Sequence, residues 1–367
     1  LQLNRIGHER PGATSQTCHG KIKLAIARLD HPDAPVVIPL HTPSEAQGPT
    51  AIALGSFDGL HAGHRRVIAA VSPSPAPLVP TVVSFWPHPR EVLHGETRLR
   101  LDLPEEKLEL LEPLGIRQLV LVPFTLELAG LSPDAFVQEV LGQQLNVRRV
   151  AVGENFRFGA KRSGDCHELV RLGDLHGIDV EVVPMLWDQS QRISSSRIRQ
   201  ALSKADLAEA RRLLDRPYRF RGRVVTGRGL GRQLGWPTAN LQVDGRKFLP
   251  LEGVYAALAW TVGCPEGPMA AVMNLGPQPT IDPTAPSAVE VHLLDRQLSL
   301  GGACLVVEPI RLLRRQERFA DLAALTSQIA RDAKQARQLL KAASGRRIGV
   351  GESPTDEQGD GSEQQDS

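Results

Sequence analysis

Ala51–Ile68, AIALGSFDGLHAGHRRVI, is the stretch whose reading decides the fold. An apolar, β-prone run, Ala51 to Leu54, stops at Gly55 and turns through Ser56-Phe57-Asp58-Gly59 to His61-Ala-Gly-His64. From Arg65 onward the chain is helix-compatible. A strand, a glycine-bearing turn and a helix start follow in that order. Free backbone N–H groups at a helix start favour an anion. His61 and His64 are three apart, so in a first helical turn both imidazoles would point the same way. With Arg65 and Arg66 beside them, the turn would suit a polyphosphate. Standing alone, a His-x-x-His pair is more often incidental or half of a metal site, but no third ligand follows at metal-site spacing.

Outward from this stretch, residues 50–203 alternate strands and helices. Leu78–Ser84, Gln118–Val122, Arg149–Val152 and Asp179–Val183 read as further strands. Glu105–Leu114 and Asp134–Leu145 read as helices, and Val36–Leu40 as a possible edge strand. Such alternation predicts a mostly parallel sheet covered by helices, with ligands at the strand C-terminal ends. The motifs fall there: Phe85-Trp-Pro-His-Pro89 after the second strand, and Gly153-Glu-Asn-Phe-Arg-Phe-Gly159 after the fourth. Ile193-Ser-Ser-Ser-Arg-Ile-Arg199 then opens a helix with serines at the capping positions. Capping explains Ser194 fully. It leaves the other hydroxyls, Arg197 and Arg199 as candidate donors to a triphosphate.

The texture changes after a helix expected over Ala201–Leu214, which Asp215-Arg-Pro-Tyr218 breaks. Short strands at Arg219–Val225, Val254–Trp260, Met269–Met273, Ala288–Leu294 and Leu305–Ile310 predict an antiparallel barrel. Glu317–Ala343 is a long helix, with Phe319, Leu322, Leu325, Ile329, Ala333, Ala336 and Leu340 on one stripe to pack against it. Gly227-Arg-Gly-Leu-Gly231 is a glycine-rich loop. Thr238 and Asn240 in GWPTAN set two oxygen donors on one side of an extended chain, a spacing that suits Mg²⁺. Glu290 and His292 share one face of an otherwise apolar strand, so Glu290 is either a satisfied core carboxylate or a general base.

Composition bounds the rest. At 367 residues the chain holds two domains, and a formal net charge of +2 gives no sign of nucleic-acid binding. The segment 351–367 has six acids and no Lys or Arg, and is expected to be a disordered acidic tail. Cys18, Cys166, Cys264 and Cys304 are far apart, which argues against a zinc knuckle or disulfide scaffold and for a reducing cytoplasm. No run is long enough to span a membrane.

In order, GxFDGxHxGH, FWPHP, GENFRFGxxRxGD and RISSSRIR resemble the first half of the bacterial bifunctional riboflavin kinase/FAD synthetases. GRVVTGRGLGRQLGWPTANL, GVYAA, MNLGPQPT, VEVHLLD and RRQERF resemble the kinase half, so about residues 50–343 are covered. The resemblance implies an α/β nucleotidyltransferase domain with a Rossmann-like parallel sheet. An antiparallel β-barrel riboflavin kinase domain with a long C-terminal helix would follow it. The expected division is an extension of unknown role over 1–48, an FMN adenylyltransferase domain over 49–203, a linker over 204–218, the kinase over 219–343 and the tail over 344–367.

By the same resemblance, ATP and Mg²⁺ would serve phosphorylation of riboflavin to FMN and adenylyl transfer from ATP to FMN. His61, His64 and Glu290 would be catalytic. Gly55, Phe57, Asp58, Asn155, Arg192, Ser195 and Ser196 would bind ATP in the first half, and Gly227, Gly229 and Gly231 in the second. Flavin would contact Phe85, Pro87, His88, Pro89, Phe156 and Phe158, and Thr238 and Asn240 would hold the metal. Ser56 stands where the family often has Asn, Ser196 where Thr is usual and Trp236 where Phe is common, while Gln297–Gly301 matches its turn weakly. Ser56 sets up one alternative, a chain with only the kinase half active. The other is a flavin-binding regulatory protein.

Overall fold

The computed structural model describes residues 38–227, 230–262, 267–276, 289–296, 298 and 300–348. Most of the expected extension, all of the expected tail but residues 344–348, Gly229 and part of the MNLGPQPT motif lie outside them.

The first half is a six-stranded, all-parallel sheet in the order β1-β4-β3-β2-β5-β6. Its strands are β1 (Leu40–His41), β2 (Thr50–Leu54), β3 (Val79–Trp86), β4 (Gln118–Pro123), β5 (Val147–Gly153) and β6 (Asp179–Val183). Parallel strands covered on both faces read as continuous apolar runs. Every residue of β2 is buried accordingly. Ala51 and Ala53 face one core with Val67, Ile68 and Leu108, whereas Ile52 and Leu54 face the other with Phe136, Leu141 and Leu169. The helix expected over Asp134–Leu145 begins as an α-turn, Pro133–Ala135, and passes into a π-helix, Phe136–Gln144. A small hairpin, β7 (Trp187–Asp188) with β8 (Gln191–Arg192), has no counterpart in the sequence reading.

The helix expected over Ala201–Leu214 is two helices, Ser195–Ser203 and Leu207–Leu214. Ala205 takes a left-handed conformation (φ 57°) between them, and the Asp206 side chain caps the second by accepting from Glu209 N at 3.0 Å.

The second half is a closed antiparallel barrel in the order β10-β13-β12-β11-β14-β9. It comprises β9 (Phe220–Val225), β10 (Ala239–Gln242), β11 (Gly253–Thr261), β12 (Met269–Leu275), β13 (Val289–Leu293) and β14 (Cys304–Arg314). Its interior is continuous with Ile198, Ala201, Leu202, Leu207, Leu213 and Leu214, so the two connecting helices belong to the barrel's core. The long helix is Leu322–Ile348, and Ala333, Ala336 and Leu340 bury against Ala256 and Leu294 on the barrel's outside. It starts later than expected because Arg314–Phe319 is tied to the barrel. The Arg314 guanidinium lies over Phe319, and Gln316 donates to Asn274 Oδ1 at 2.7 Å. Leu322 is therefore exposed rather than part of the buried stripe. Among the described residues no helix is long and apolar enough to cross a membrane.

Candidate active sites

At the C-terminal end of β2 the chain makes three unusual turns in succession. Phe57 (φ 42°), Gly59 (φ 94°) and Leu60 (φ 41°) all lie in the left-handed region. The winding delivers His61 to the N-cap of the Ala62–Ala69 helix, where its Nδ1 accepts from His64 N at 3.3 Å. The two imidazoles stack with centroids 3.6 Å apart, and Phe57 meets His64 edge-on. Because Nδ1 of His61 is an acceptor, its proton sits on Nε2. Burial, then Arg192 and Arg65, push the His61 pKa down to about 4, and burial with neighbouring His61 lowers His64 well below its usual value. Both rings are neutral near pH 7, donors rather than cations. Gly55 makes room for the Phe57 ring, which a Cβ would meet at 3.2 Å.

The remaining candidates divide by what their side chains already hold. Arg192, on the β7–β8 hairpin, is exposed and close enough to depress His61. Ser196 is exposed in the first turn of the Ser195–Ser203 helix, and Asn155 is exposed just past β5. Three of the expected residues have side chains that are already engaged within the protein. The Asp58 carboxylate accepts from Leu101 N (2.8 Å), Asp102 N (3.3 Å) and Arg199. Ser195 Oγ donates to Asp58 O at 2.7 Å, so it braces the loop. Phe158 is core, buried beneath Phe156 and against Phe136, and Gly164 packs on its ring. The arginines expected as phosphate donors are likewise engaged: Arg197 with Asp188 and Glu209, Arg199 with Asp58 and Leu99 O, Arg65 with Leu214 O and Asp215.

The Pro87-His-Pro turn follows Trp86, the last residue of β3. Phe85 is half-buried against Phe124, while Pro87, His88 and Pro89 are half-exposed. His88 caps the Pro89–His94 helix, and burial with Arg100, Arg98, Arg199 and Arg90 lowers its pKa to about 3. Sequence reasoning picked out Arg199 but missed Arg90, Arg98 and Arg100 beside it. It also missed Lys107, buried with Nζ on Ser56 O at 3.1 Å and its pKa lowered by that burial. The signal was present, because Lys107 sits on the apolar side of its helix beside Leu103, Leu108 and Leu111.

In the barrel, Asn240, Glu290 and Asn274 lie directly opposite one another across β10, β13 and β12. Opposed residues on antiparallel strands project to one face. Val289, Val291 and Leu293 point to the buried interior, so this row and His292 face outward. His292 Nδ1 is 2.8 Å from Pro237 O, with Trp236 edge-on to its ring. Gly227, just past β9, and Gly231, inside a short helix Leu230–Gln233 rather than the expected loop, press on the proposed oxygen donors: a Cβ at Gly227 would fall 1.9 Å from Asn240 Nδ2, and one at Gly231 3.2 Å from Thr238 Oγ1. Two neutral oxygen donors in a cradle only glycines leave open fit Mg²⁺, which keeps waters and binds substrate phosphates as well.

Comparison with known proteins covers both sites. A family model described as FAD synthetase matches residues 43–197, and one described as riboflavin kinase matches residues 214–340. The bifunctional riboflavin kinase/FMN adenylyltransferase of Escherichia coli K12 is 37% identical over 305 residues, 82% of this chain and 96% of that protein. The protein of the same description from Bacillus subtilis is 34% identical over 81% of this chain and 95% of its own. A solved structure from Streptococcus pneumoniae, described as a macrolide-efflux protein, has a TM-score of 0.70 and 26% identity over 82% of this chain and 99% of that one. With both halves matched in order by relatives that span nearly their whole length, the chain belongs to the bifunctional riboflavin kinase/FMN adenylyltransferases.

Proposed function

We propose that this chain makes FAD from riboflavin in two ATP-dependent steps, using the residues that follow. In the barrel, the ribityl 5′-hydroxyl of riboflavin attacks the γ-phosphorus of ATP, and ADP leaves. Glu290 takes the hydroxyl proton, and Thr238 and Asn240 hold Mg²⁺, which neutralises phosphate charge when bound. Gly227 and Gly231 lie over the nucleotide, with Gly229 expected beside them. In the parallel-sheet half, an oxygen of the FMN phosphate attacks the α-phosphorus of ATP. The bond to the β-phosphate breaks and pyrophosphate leaves. A phosphate is already nucleophilic at pH 7, so donors to the growing charge matter more than a base. Neutral His61 and His64 supply donors there, Arg192, Ser196 and Asn155 complete the ATP pocket, and the backbone of Gly55 to Asp58 lines it. FMN rests near Phe85, Pro87, His88, Pro89 and Phe156.

What carries this reading is that each half brings its proposed reacting groups together on one side: the stacked histidines at the end of β2, and the Asn240–Glu290–Asn274 row on the barrel. We place the chain in the cytoplasm, in keeping with free thiols at Cys166 and Cys304. A timed incubation with riboflavin, ATP and Mg²⁺, with flavins separated by chromatography, tests it. FMN first and FAD later is the expected result. FMN alone leaves only the kinase half active, and riboflavin bound but unconverted makes this a flavin-binding protein.

A further inference from the structure

We infer that the barrel half helps position the adenylyl-transfer site, with Lys247 and Arg246, between β10 and β11, as positioning residues for the nucleotide loop and the Trp86-Pro87-His88 turn. The inference rests on reading the His61–His64 loop as the adenylyl-transfer site.

The connection runs through residues 95–103, a strap with no helix or strand of its own. Among the described residues its one ladder contact is a parallel bridge from Arg100 to Lys247. Arg100 N donates to Arg246 O at 2.6 Å, and Phe248 N donates to Arg100 O at 2.7 Å. The backbone pairing that shapes the strap therefore comes from the barrel, not from the sheet of its own half. On its other side the strap grips the nucleotide loop, because Leu101 N and Asp102 N hold Asp58 Oδ1 and Arg199 joins Leu99 O to the same carboxylate.

Lys247 sits at the junction and is completely buried. Its Nζ donates to Leu101 O and to Glu106 Oε2, each at 2.6 Å, and lies over the Tyr218 ring. A buried ammonium needs an anion and acceptors; here Glu106 and Leu101 supply them from the opposite half. Leu101 is thus held from two sides, its carbonyl by the barrel lysine and its amide by the nucleotide-loop aspartate. Arg246 reaches the second loop. Its guanidinium and that of Arg100 lie 5.0 and 5.1 Å from the Trp86 ring centroid. Arg100 also pairs with Glu91 at 2.7 Å, and the same Glu91 oxygen accepts from His88 N at 2.8 Å. Moving the strap would shift the ATP loop and the turn proposed to hold FMN together.

Two loss variants and one restoring variant of this chain test this. Lys247→Met/Glu106→Gln removes both charges, so neither is left buried alone. Arg246→Met acts at a less buried position and keeps an apolar stem over Trp86. Misplacement by about an ångström can cost on the order of 100-fold in rate. FAD formation from FMN should fall about 10- to 100-fold in kcat with a higher KM for FMN, while riboflavin phosphorylation is unchanged. Arg246→Lys, which keeps a cation over Trp86, should restore most of the loss in Arg246→Met. Wild-type FAD formation in both variants overturns the inference. So does an equal fall of both activities with KM values fixed, the signature of a packing role alone. A wild-type chain that makes no FAD overturns the reading of the site, and this inference with it.

Discussion

His61 shows how a side chain can be tuned by position alone. At the N-cap its Nδ1 must accept from the helix, and burial beside Arg192 and Arg65 keeps the ring neutral, with a pKa of about 4. The unfolded chain, with an ordinary histidine near 6.5, binds the proton more readily than the folded one. Stability from this group is therefore full above pH 6.5 and is lost as pH falls from there toward 4. The sign gives a difference of about 2 kcal/mol between pH 7.5 and pH 5. Urea unfolding at the two pH values should show wild type losing more stability than His61→Asn, which keeps an N-cap acceptor. Equal losses would mean that the imidazole is not held neutral. Glu290 is the matching residue in the other half. Flanked by Asn240 and Asn274, it is proposed to work as a base. Glu290→Gln should lower riboflavin phosphorylation by roughly 10²- to 10⁴-fold and leave adenylylation of supplied FMN intact. A fall in both rates would make it a structural carboxylate.

Between the halves, the broken helix is an element whose sequence misleads. Ala201–Leu214 is full of helix formers, yet Ala205 turns left-handed and Asp206 starts a second helix. If Asp206 is a cap, Asp206→Ala costs about 1 kcal/mol; in one continuous helix the same change would stabilise, since Ala is the better helix former. The sign of the change in melting temperature decides. The buried strands were legible because continuous apolar runs bounded by glycine and proline leave few alternatives, and the barrel's alternation was equally plain. β10 was not, because four residues after Pro237 carry too little pattern to read as a strand. Nor was the β7–β8 hairpin, with two residues in each strand. In the site, local chemistry was readable and partnership was not. An arginine near a phosphate loop looks the same in sequence whether it awaits a ligand or, like Arg199, pairs with Asp58 in a loop far back along the chain. Lys107 and the strap were hidden for the same reason, since their partners are set by the fold.

Taken whole, the molecule is not two beads on a linker. Ile198, Ala201, Leu202, Leu207, Leu213 and Leu214 lie in one apolar cluster with the barrel interior, among them Phe220, Tyr255 and Leu305. Ion pairs tie the same junction from other angles, Asp102 with Arg216 at 2.8 Å and Glu109 with Arg221 at 2.7 Å. A barrel cut free at Phe220 would expose the apolar end that these helices cover. Burying such side chains is worth about 1.5–3 kcal/mol each for the large ones, and a domain's whole stability is about 5–15 kcal/mol. A fragment over 220–348 should therefore be insoluble or lack a cooperative melt. A fragment over 194–348, which keeps both helices and the Ser194 cap, should melt cooperatively and phosphorylate riboflavin. Circular dichroism melts of the two fragments separate the cases. If the shorter fragment melts as high as the longer, the helices are only a tether, and the barrel's core closes without them.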